Sequence, residues 1–240
     1  MRIIFYFIFS VLILFSFLSC SKGEPVKDLL FGKLAFIDFT PGGIRIIAGS
    51  ANKFSAPIED ASFVSGENRF RFYDKDILLI DTLLRVEAYK KHTYFMFKPN
   101  ADKTLRIFDE TLNGFDKETL PDTGSVKISM ANYFSALPNK VDIAITTNTY
   151  QPPILQLIQV AEFLNVTQSF SQFKVIIPGK DQLLQEVNSF TLIIKDVVSK
   201  NVLKTIPFTL PKKINSKELA SDVYLLYVND QGGVTTLMSK

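Results

Sequence analysis

The order of short apolar runs constrains the fold of this chain more than any other feature, because that order occurs twice. The first series begins with residues 33–39 and ends with 93–97, and the second begins with 127–133 and ends with 223–227. In each series a proline turn, a run, a glycine turn and two more runs follow in the same order. Runs rich in β-branched and aromatic residues and broken by turn residues are typical of β-strands. We therefore predict a tandem duplication of a β domain.

The two copies are predicted to be antiparallel β-sandwich domains in an all-β chain. Short strands separated by turns, with no convincing amphipathic helix before residue 150, favour facing sheets over βαβ units. We expect the domains at residues 31–100 and 125–231, joined by a linker at 101–124. For residues 105–108 of the linker, an additional strand is an open alternative. Residues 232–240 are expected to form a C-terminal tail.

The N-terminus has the composition of a bacterial export signal. Arg2 precedes a run of apolar and small residues from 3 to 18, which is shorter than the roughly 20 residues that span a bilayer. The run ends at Cys20, in a context that resembles the lipobox of lipoprotein precursors. We predict that residues 1–19 are a signal peptide, and that residues 20–30 are the lipidated Cys20 and a tether. An uncleaved anchor is the alternative.

Composition excludes several classes of site. Cys20 is the one cysteine and His92 the one histidine of the chain, so neither an internal disulfide nor a metal site built on cysteines or histidines is expected. The formal net charge of +3 is small and evenly spread, which does not predict binding to nucleic acid. The chain has no phosphate-binding loop and no dinucleotide fingerprint. We therefore predict no metal and no cofactor.

Candidate catalytic groups are few, and we predict that the protein is not an enzyme. His92 is interpreted as a solvated histidine at a strand end. A glycoside hydrolase would need two acids, one of them in a partly buried setting that raises its pKa. The candidate acids all lie at predicted turns or in the predicted linker: Glu59-Asp60, Asp74 with Asp76, and Asp109-Glu110.

The second copy is longer than the first in two places, which we predict to contain its binding surface. Residues 146–173 and 180–189 have no counterpart of equal length in the first copy. Loops that a fold can do without are common places for binding residues. For the first of these segments two alternatives stay open, a short helix opened by Pro152-Pro153 and an alternating strand.

Three aromatic residues near these loops are candidate contacts for a partner: Tyr133, Phe134 and Tyr150. The alternative for all three is burial in a core, which explains most of the aromatic residues that alternate along the predicted strands.

One stretch resembles a known family. Residues 124–133, followed by the turn at 135–138 and by Val141-Asp142-Ile143, are similar to the opening of the domain-of-unknown-function 4397 family. The turn at Pro178-Gly179 and the run 223–227 resemble its middle and end. Residues 31–100 look like a divergent second copy. The resemblance implies paired immunoglobulin-like sandwiches on secreted or lipid-anchored envelope proteins of diderm bacteria, with no established activity and no catalytic residues to carry over.

These observations predict a non-enzymatic protein of the cell envelope, held at the outer membrane by its lipid, on either the surface or the periplasmic face. The expected role is binding, adhesion or assembly. The expected partners are the membrane, through the lipid anchor, and a glycan or another envelope protein. One alternative is an accessory lipoprotein of polysaccharide capture at the outer membrane. A second is a glycoside hydrolase built on paired acids.

Overall fold

The structure of the chain is a computed structural model that describes residues 28–40, 42–49, 52–99, 104–212 and 222–240. From Phe31 onward the described residues belong to one compact unit, Phe31–Lys240. The predicted signal peptide and Cys20 lie outside the described residues. No helix in the described ranges is long and apolar enough to cross a membrane.

The described residues of the compact unit form sixteen strands in two groups of eight, which confirms the prediction of an all-β fold. The first repeat comprises β1 (Phe31–Asp38), β2 (Arg45–Ala48), β3 (Asn52–Ser55), β4 (Ile58–Val64), β5 (Gly66–Asp74), β6 (Ile77–Val86), β7 (Lys91–Phe97) and β8 (Arg106–Asp109). The second repeat comprises β9 (Val126–Asn132), β10 (Val141–Gln151), β11 (Ile154–Val166), β12 (Lys174–Ile176), β13 (Ser189–Asp196), β14 (Val202–Thr209), β15 (Val223–Val228) and β16 (Val234–Ser239).

Each repeat folds into two four-stranded sheets. In the first repeat, sheet I has the order β3-β2-β5-β6 and sheet II the order β4-β1-β7-β8. In the second, sheet III has the order β12-β9-β15-β16 and sheet IV the order β11-β10-β13-β14. The second repeat therefore copies the connectivity of the first strand for strand. This agreement across all eight positions supports the predicted duplication.

The strand pairing differs from the expectation in one respect, because two pairs are parallel rather than antiparallel. Lys33 of β1 lies opposite Lys91 of β7, and Lys127 of β9 lies opposite Val223 of β15, with each pair of strands running in the same direction. A parallel pair needs a long connection, and here the whole intervening repeat supplies it. Sheets II and III therefore each contain one parallel pair, and the other strand pairs of the described residues are antiparallel, as predicted.

The immunoglobulin-like strand order implied by the resemblance is not confirmed. In that arrangement the first, second, fourth and fifth strands share one sheet. In this protein the first strand pairs with the fourth and seventh, while the second pairs with the third and fifth in the facing sheet. The coarser prediction of a β-sandwich agrees with the structure.

Each sandwich encloses a core of its own, built from alternate residues of facing strands. In the first repeat Phe36, Phe70 and Phe72 are fully buried, and their rings are in contact. The ring centroids of Phe36 and Phe70 are 5.6 Å apart. In the second repeat the corresponding core is mainly aliphatic and includes Ile143 and Leu192. Alternation of this kind buries one face of each sheet and leaves the other face for a different environment.

The outer faces of sheets II and III pack against each other and form a third core, which we call the middle layer. Every residue from 93 to 97 in β7 and from 223 to 228 in β15 is buried. Strands covered on both faces have continuous apolar runs rather than alternating ones, as these two do. The middle layer is lined by Phe95, Phe97, Phe108, Phe115, Ala131, Tyr133, Phe170, Val223, Leu225, Tyr227 and Leu237. The two sandwiches therefore share a core and belong to one unit.

Two segments that were predicted as linker and tail contain strands. Within the predicted linker 101–124, β8 pairs with β7, and within the predicted tail 232–240, β16 pairs with β15. These are the eighth strands of the two repeats. The possible strand at residues 105–108 is confirmed as β8, whereas β16 was not predicted. The parallel pairing of the first and seventh strands creates the edge for an eighth strand, and that pairing cannot be read from local periodicity.

Candidate functional site

A long hairpin distinguishes the second repeat from the first. β10 and β11 pair from Val141 to Gln151, whereas the equivalent hairpin of β2 and β3 pairs over four residues on each strand. The pairing of β10 with β13 ends at Thr146. At roughly 3.3 Å per residue, residues 147–151 therefore extend the hairpin by about 17 Å beyond that pairing. We call residues 147–158 the arm.

The arm settles the alternatives for residues 146–173, because it is a strand pair and not a helix. Its turn contains Pro152 and Pro153, at the one place in a hairpin where no ladder hydrogen bond is needed from the backbone. The prediction of an alternating strand is confirmed, and the helix alternative was wrong.

Apolar side chains of the arm lie in solvent. Ile154 and Leu155 are each 55% exposed, and Leu157 is 63% exposed. These side chains belong to no core cluster. The first repeat completes the same sandwich with a short hairpin, so the fold does not require them. Clustered exposed apolar groups are uncommon on a monomer's surface and often mark a contact with a partner.

The second insertion of this repeat lies beside the arm. The backbone N–H of Tyr150 donates to the carbonyl oxygen of Lys180 at 2.6 Å, and the Lys180 N–H donates to Oγ1 of Thr149 at 3.1 Å. Gly179 passes so close that a Cβ there would lie 2.1 Å from the carbonyl oxygen of Asn148. The two segments that the sequence singled out are thus brought together.

The insertion adds further exposed apolar groups next to the arm. One carboxylate oxygen of Asp181, Oδ1, accepts hydrogen bonds from the backbone N–H groups of Leu183 at 2.8 Å and Gln185 at 2.9 Å, which fixes the loop. Leu183 and Leu184 are then 74% and 70% exposed. The arm and this loop together form the candidate binding surface.

A buried carboxylate, that of Asp142, stabilises the base of the hairpin that carries the arm. Asp142 is 2% exposed, and its oxygens accept hydrogen bonds from Nζ of Lys200 at 2.7 Å and from the backbone N–H of Asn165 at 2.9 Å. The hydrogen bond from Lys200, followed by the one from Asn165, holds the pKa of the Asp142 carboxyl below its usual value. Asp142 thereby ties both strands of the hairpin to the turn between β13 and β14.

The three predicted aromatic contacts do not form a patch. Tyr133 is 5% exposed and lies in the middle layer, 5.5 Å from the ring of Phe97, and burial raises the pKa of its hydroxyl. Of the two alternatives for Tyr133, burial is the one that the structure shows, because the first repeat covers the face of β9 that would be exposed in an isolated domain. A single sequence gives no signal for that cover beyond the continuous apolar runs of β7 and β15.

The other two aromatic residues, Phe134 and Tyr150, lie near opposite ends of β10. Phe134 is half-buried, and Nζ of Lys204 lies 4.5 Å above its ring. Lys204 of β14 and Ile143 of β10 are both paired with Ile194 of β13, so they lie in one row of sheet IV. Tyr150 lies seven residues beyond Ile143 along β10, which is about 23 Å at 3.3 Å per residue. Only Tyr150 belongs to the arm. Leu155, Leu183 and Leu184 were not among the predicted contacts. Each is an apolar residue in a segment that the first copy lacks, and that position could have identified it as a candidate.

The candidate catalytic groups are also placed differently from the expectation. Both ring nitrogens of His92 are buried, and Nδ1 lies 3.3 Å from Oδ2 of Asp109. The interpretation of His92 as solvated was wrong because β8, which carries Asp109, covers it. Burial, followed by the charge of Asp109, raises the pKa of the Tyr94 hydroxyl to about 12.

Three of the candidate acids, Asp60, Asp74 and Asp76, form ion pairs with cationic side chains. Asp60 accepts a hydrogen bond from Lys33 at 2.8 Å, which lowers the pKa of its carboxyl. Asp74 is paired with Lys98, and Asp76 with Arg45. A cationic partner favours the ionised form, whereas a general acid needs the opposite shift. Among the described residues, no group of three or more metal-ligating side chains lies together.

Comparison with known proteins gives no family. No protein-family model matches the chain, and no curated protein matches it. A solved leucine-rich repeat protein from Bacteroides thetaiotaomicron VPI-5482 is 11% identical over 85% of this chain, with a TM-score of 0.19, and the chain spans 27% of that protein's length. A "putative adhesin" from Bacteroides ovatus ATCC 8483 is 9% identical, with a TM-score of 0.20, over 80% of this chain and 86% of that one. At these TM-scores neither likeness bears on function.

We predict that Asp142→Asn destabilises the unit at neutral pH more than at acidic pH. Folding lowers the pKa of this carboxyl from its ordinary value of 3.8. Its contribution to stability is therefore complete at pH values above 3.8 and is lost as the pH falls through the pKa of the folded state. Because Lys200 is largely exposed, the expected loss at pH 7 is about 1 kcal/mol in the free energy of unfolding. Urea denaturation between pH 3 and 7 measures it, with Asp122→Asn, at an exposed turn, as the matched control. A deficit that is equal at all pH values would contradict this account.

Proposed function

We propose that this protein is a non-enzymatic, lipid-anchored binding or assembly module of the bacterial cell envelope, and that the arm meets its partner. The observation that carries the proposal is the exposed apolar surface of the arm and the adjoining loop. Ile154, Leu155 and Leu157 lie on an element that is absent from the equivalent repeat. Burial of such groups against a partner is the main favourable term in protein association.

The form of the arm favours a protein partner. β11 is an edge strand of sheet IV, and an extended strand of another protein can pair with such an edge while its side chains meet the apolar groups. Polysaccharide capture has less support, because sugar rings stack on exposed aromatic faces. Tyr150 is the aromatic residue that the structure places on the arm, and it is half-buried. An envelope protein is therefore the proposed partner.

The anchor is the second part of the proposal. It rests on the leader-like composition of residues 1–19 and on Cys20 after them. Lipidation of Cys20 would place the compact unit beside a membrane, since residues 21–30 can extend no more than about 35 Å. The outer membrane is the proposed site, in line with the family resemblance.

The arm is tested by the double substitution Leu155→Ser and Leu157→Ser in the full chain. Each leucine buried in a contact contributes about 1.5–3 kcal/mol, so we expect recovery of the cross-linked partner from intact cells to fall at least tenfold. The control is Val198→Ser with Val202→Ser, which removes two other exposed apolar side chains (90% and 58% exposed) from the same repeat. Thermal unfolding monitored by circular dichroism should be the same for both variants. Equal recovery from the two variants would overturn the role of the arm.

The anchor is tested by feeding cells a fatty acid with an alkyne tag. The wild-type chain should carry the label in the membrane fraction, and Cys20→Ser should carry none, because the thiol is the proposed point of attachment. Label that persists in Cys20→Ser, or an unlabelled wild-type chain, would contradict lipidation at this residue.

A further inference from the structure

The solvent face of sheet I is basic. Five cationic side chains alternate along its strands with core residues, and alternation places them on the face opposite the core. Two acidic side chains, Glu67 and Asp81, share that face. Asp76, in the turn after β5, forms an ion pair with Arg45 at 3.2 Å, so positive charges exceed negative ones by two. The five cationic residues are Arg45, Lys53, Arg69, Arg71 and Arg85.

Ion pairs neutralise only part of this face. Arg69 makes a bidentate pair with Asp81, at 2.8 Å from Nε to Oδ1 and 2.7 Å from Nη2 to Oδ2. Arg71 donates to a backbone carbonyl, that of Gly49, at 3.2 Å. Lys53 and Arg85 form no ion pair with the residues that the structure describes. Lys53, Arg71 and Arg85 are thus the cations of this face outside these ion pairs, with Glu67 directly opposite Arg85 in the pairing of β5 with β6.

The cations lie on neighbouring strands of one sheet face. Lys53 of β3 and Arg71 of β5 lie on either side of Ile47 in one row of the sheet. Two strand spacings place their Cα atoms about 10 Å apart. Leu83, which is 57% exposed, lies opposite Arg69 on the same face. The face therefore combines spread positive charge with an exposed apolar side chain.

The fold does not require these cations, because the second repeat builds the same sheet without them. The pairing register places Thr191 and Ile193 of sheet IV at the positions of Arg69 and Arg71. Asp142 stands at the position of Arg45, with the opposite charge. The two repeats thus share one strand order but differ in the side chains on their outer sheet faces. The requirements of folding do not explain this difference.

We propose that the outer face of sheet I docks on an anionic lipid bilayer and orients the first repeat against it. Basic side chains near a surface are attracted to anionic headgroups, and the interfacial region also accepts exposed apolar groups such as Leu83. A soluble polyanion would satisfy the cations but would leave Leu83 in water. The inference rests on the proposed anchor, which brings the face to a membrane.

Docking in this way would leave the arm free. Sheets I and IV are the outermost layers of the unit, with sheets II and III joined by the middle layer between them. At about 10 Å between packed sheets, sheet IV lies roughly 30 Å from sheet I. The repeat that carries the basic face would therefore lie on the membrane, and the repeat that carries the arm would face away from it.

The test is co-sedimentation of residues 28–240 with vesicles. This fragment lacks Cys20 and contains all sixteen strands and the three cores, so it folds without the leader. The vesicles are phosphatidylcholine alone, or phosphatidylcholine with one-third phosphatidylglycerol, at low and high salt. We expect binding to the anionic vesicles at low salt, with loss at high salt, and little binding to the neutral ones.

The variant combines Lys53→Gln, Arg71→Gln and Arg85→Gln. Each cation contributes about a fivefold increase in partitioning, so binding should fall about 100-fold. The matched control removes the same charge from exposed positions outside sheet I, with Lys117→Gln, Lys140→Gln and Lys212→Gln, and should retain most of the binding.

Three results would overturn the proposal: equal binding to neutral and anionic vesicles, equal loss in the two triple variants, or retention on immobilised heparin without binding to vesicles. Because the fragment has neither lipid nor a partner, these outcomes are independent of the labelling and cross-linking experiments that test the proposed function.

Discussion

The packing of aromatic rings between sheets II and III is the interaction on which the rest of the structure depends. Phe97 of the first repeat contacts Tyr133, Phe170 and Tyr227 of the second, with ring centroids 5.5, 6.3 and 5.5 Å away. Edge-to-face and tilted contacts of this kind add to the large apolar area that each ring buries. The middle layer fixes the two sandwiches back to back, and it thereby determines which sheet faces remain open to solvent. Those two faces belong to sheets I and IV.

The duplicated fold leaves each copy free to change outside the cores. The first repeat keeps a short β2–β3 hairpin and carries Arg69 and Arg71 on its open face, while the second has Thr191 and Ile193 there and extends its hairpin into the arm. None of these changes touches the alternating inward side chains that hold each sandwich together. Function in such a molecule lies in features added to the fold rather than in the fold itself.

Sequence reasoning predicted the repeat, the β class and the segments that form the candidate surface, because local alternation and length differences are visible in one chain. It could not predict contacts between copies. Tyr133 was a candidate contact with burial as the alternative, and His92 was interpreted as solvated. Both are covered, Tyr133 by the other repeat and His92 by β8. Period-two patterns show which side chains of a strand share a face, but not what covers that face. The continuous apolar runs of β7 and β15 were the one local sign that two faces are buried.

We infer that the middle layer makes the two repeats one cooperative unit, and hydrogen exchange of residues 28–240 tests this inference. A single cooperative unit predicts that the slowest amides of β7 and β15 exchange with the same free energy of opening. It also predicts that Phe97→Ala lowers both by the same amount, about 3 kcal/mol for truncation of a buried aromatic side chain. A loss confined to β7, with β15 as protected as in the wild-type chain, would show that the repeats unfold separately and would contradict the account.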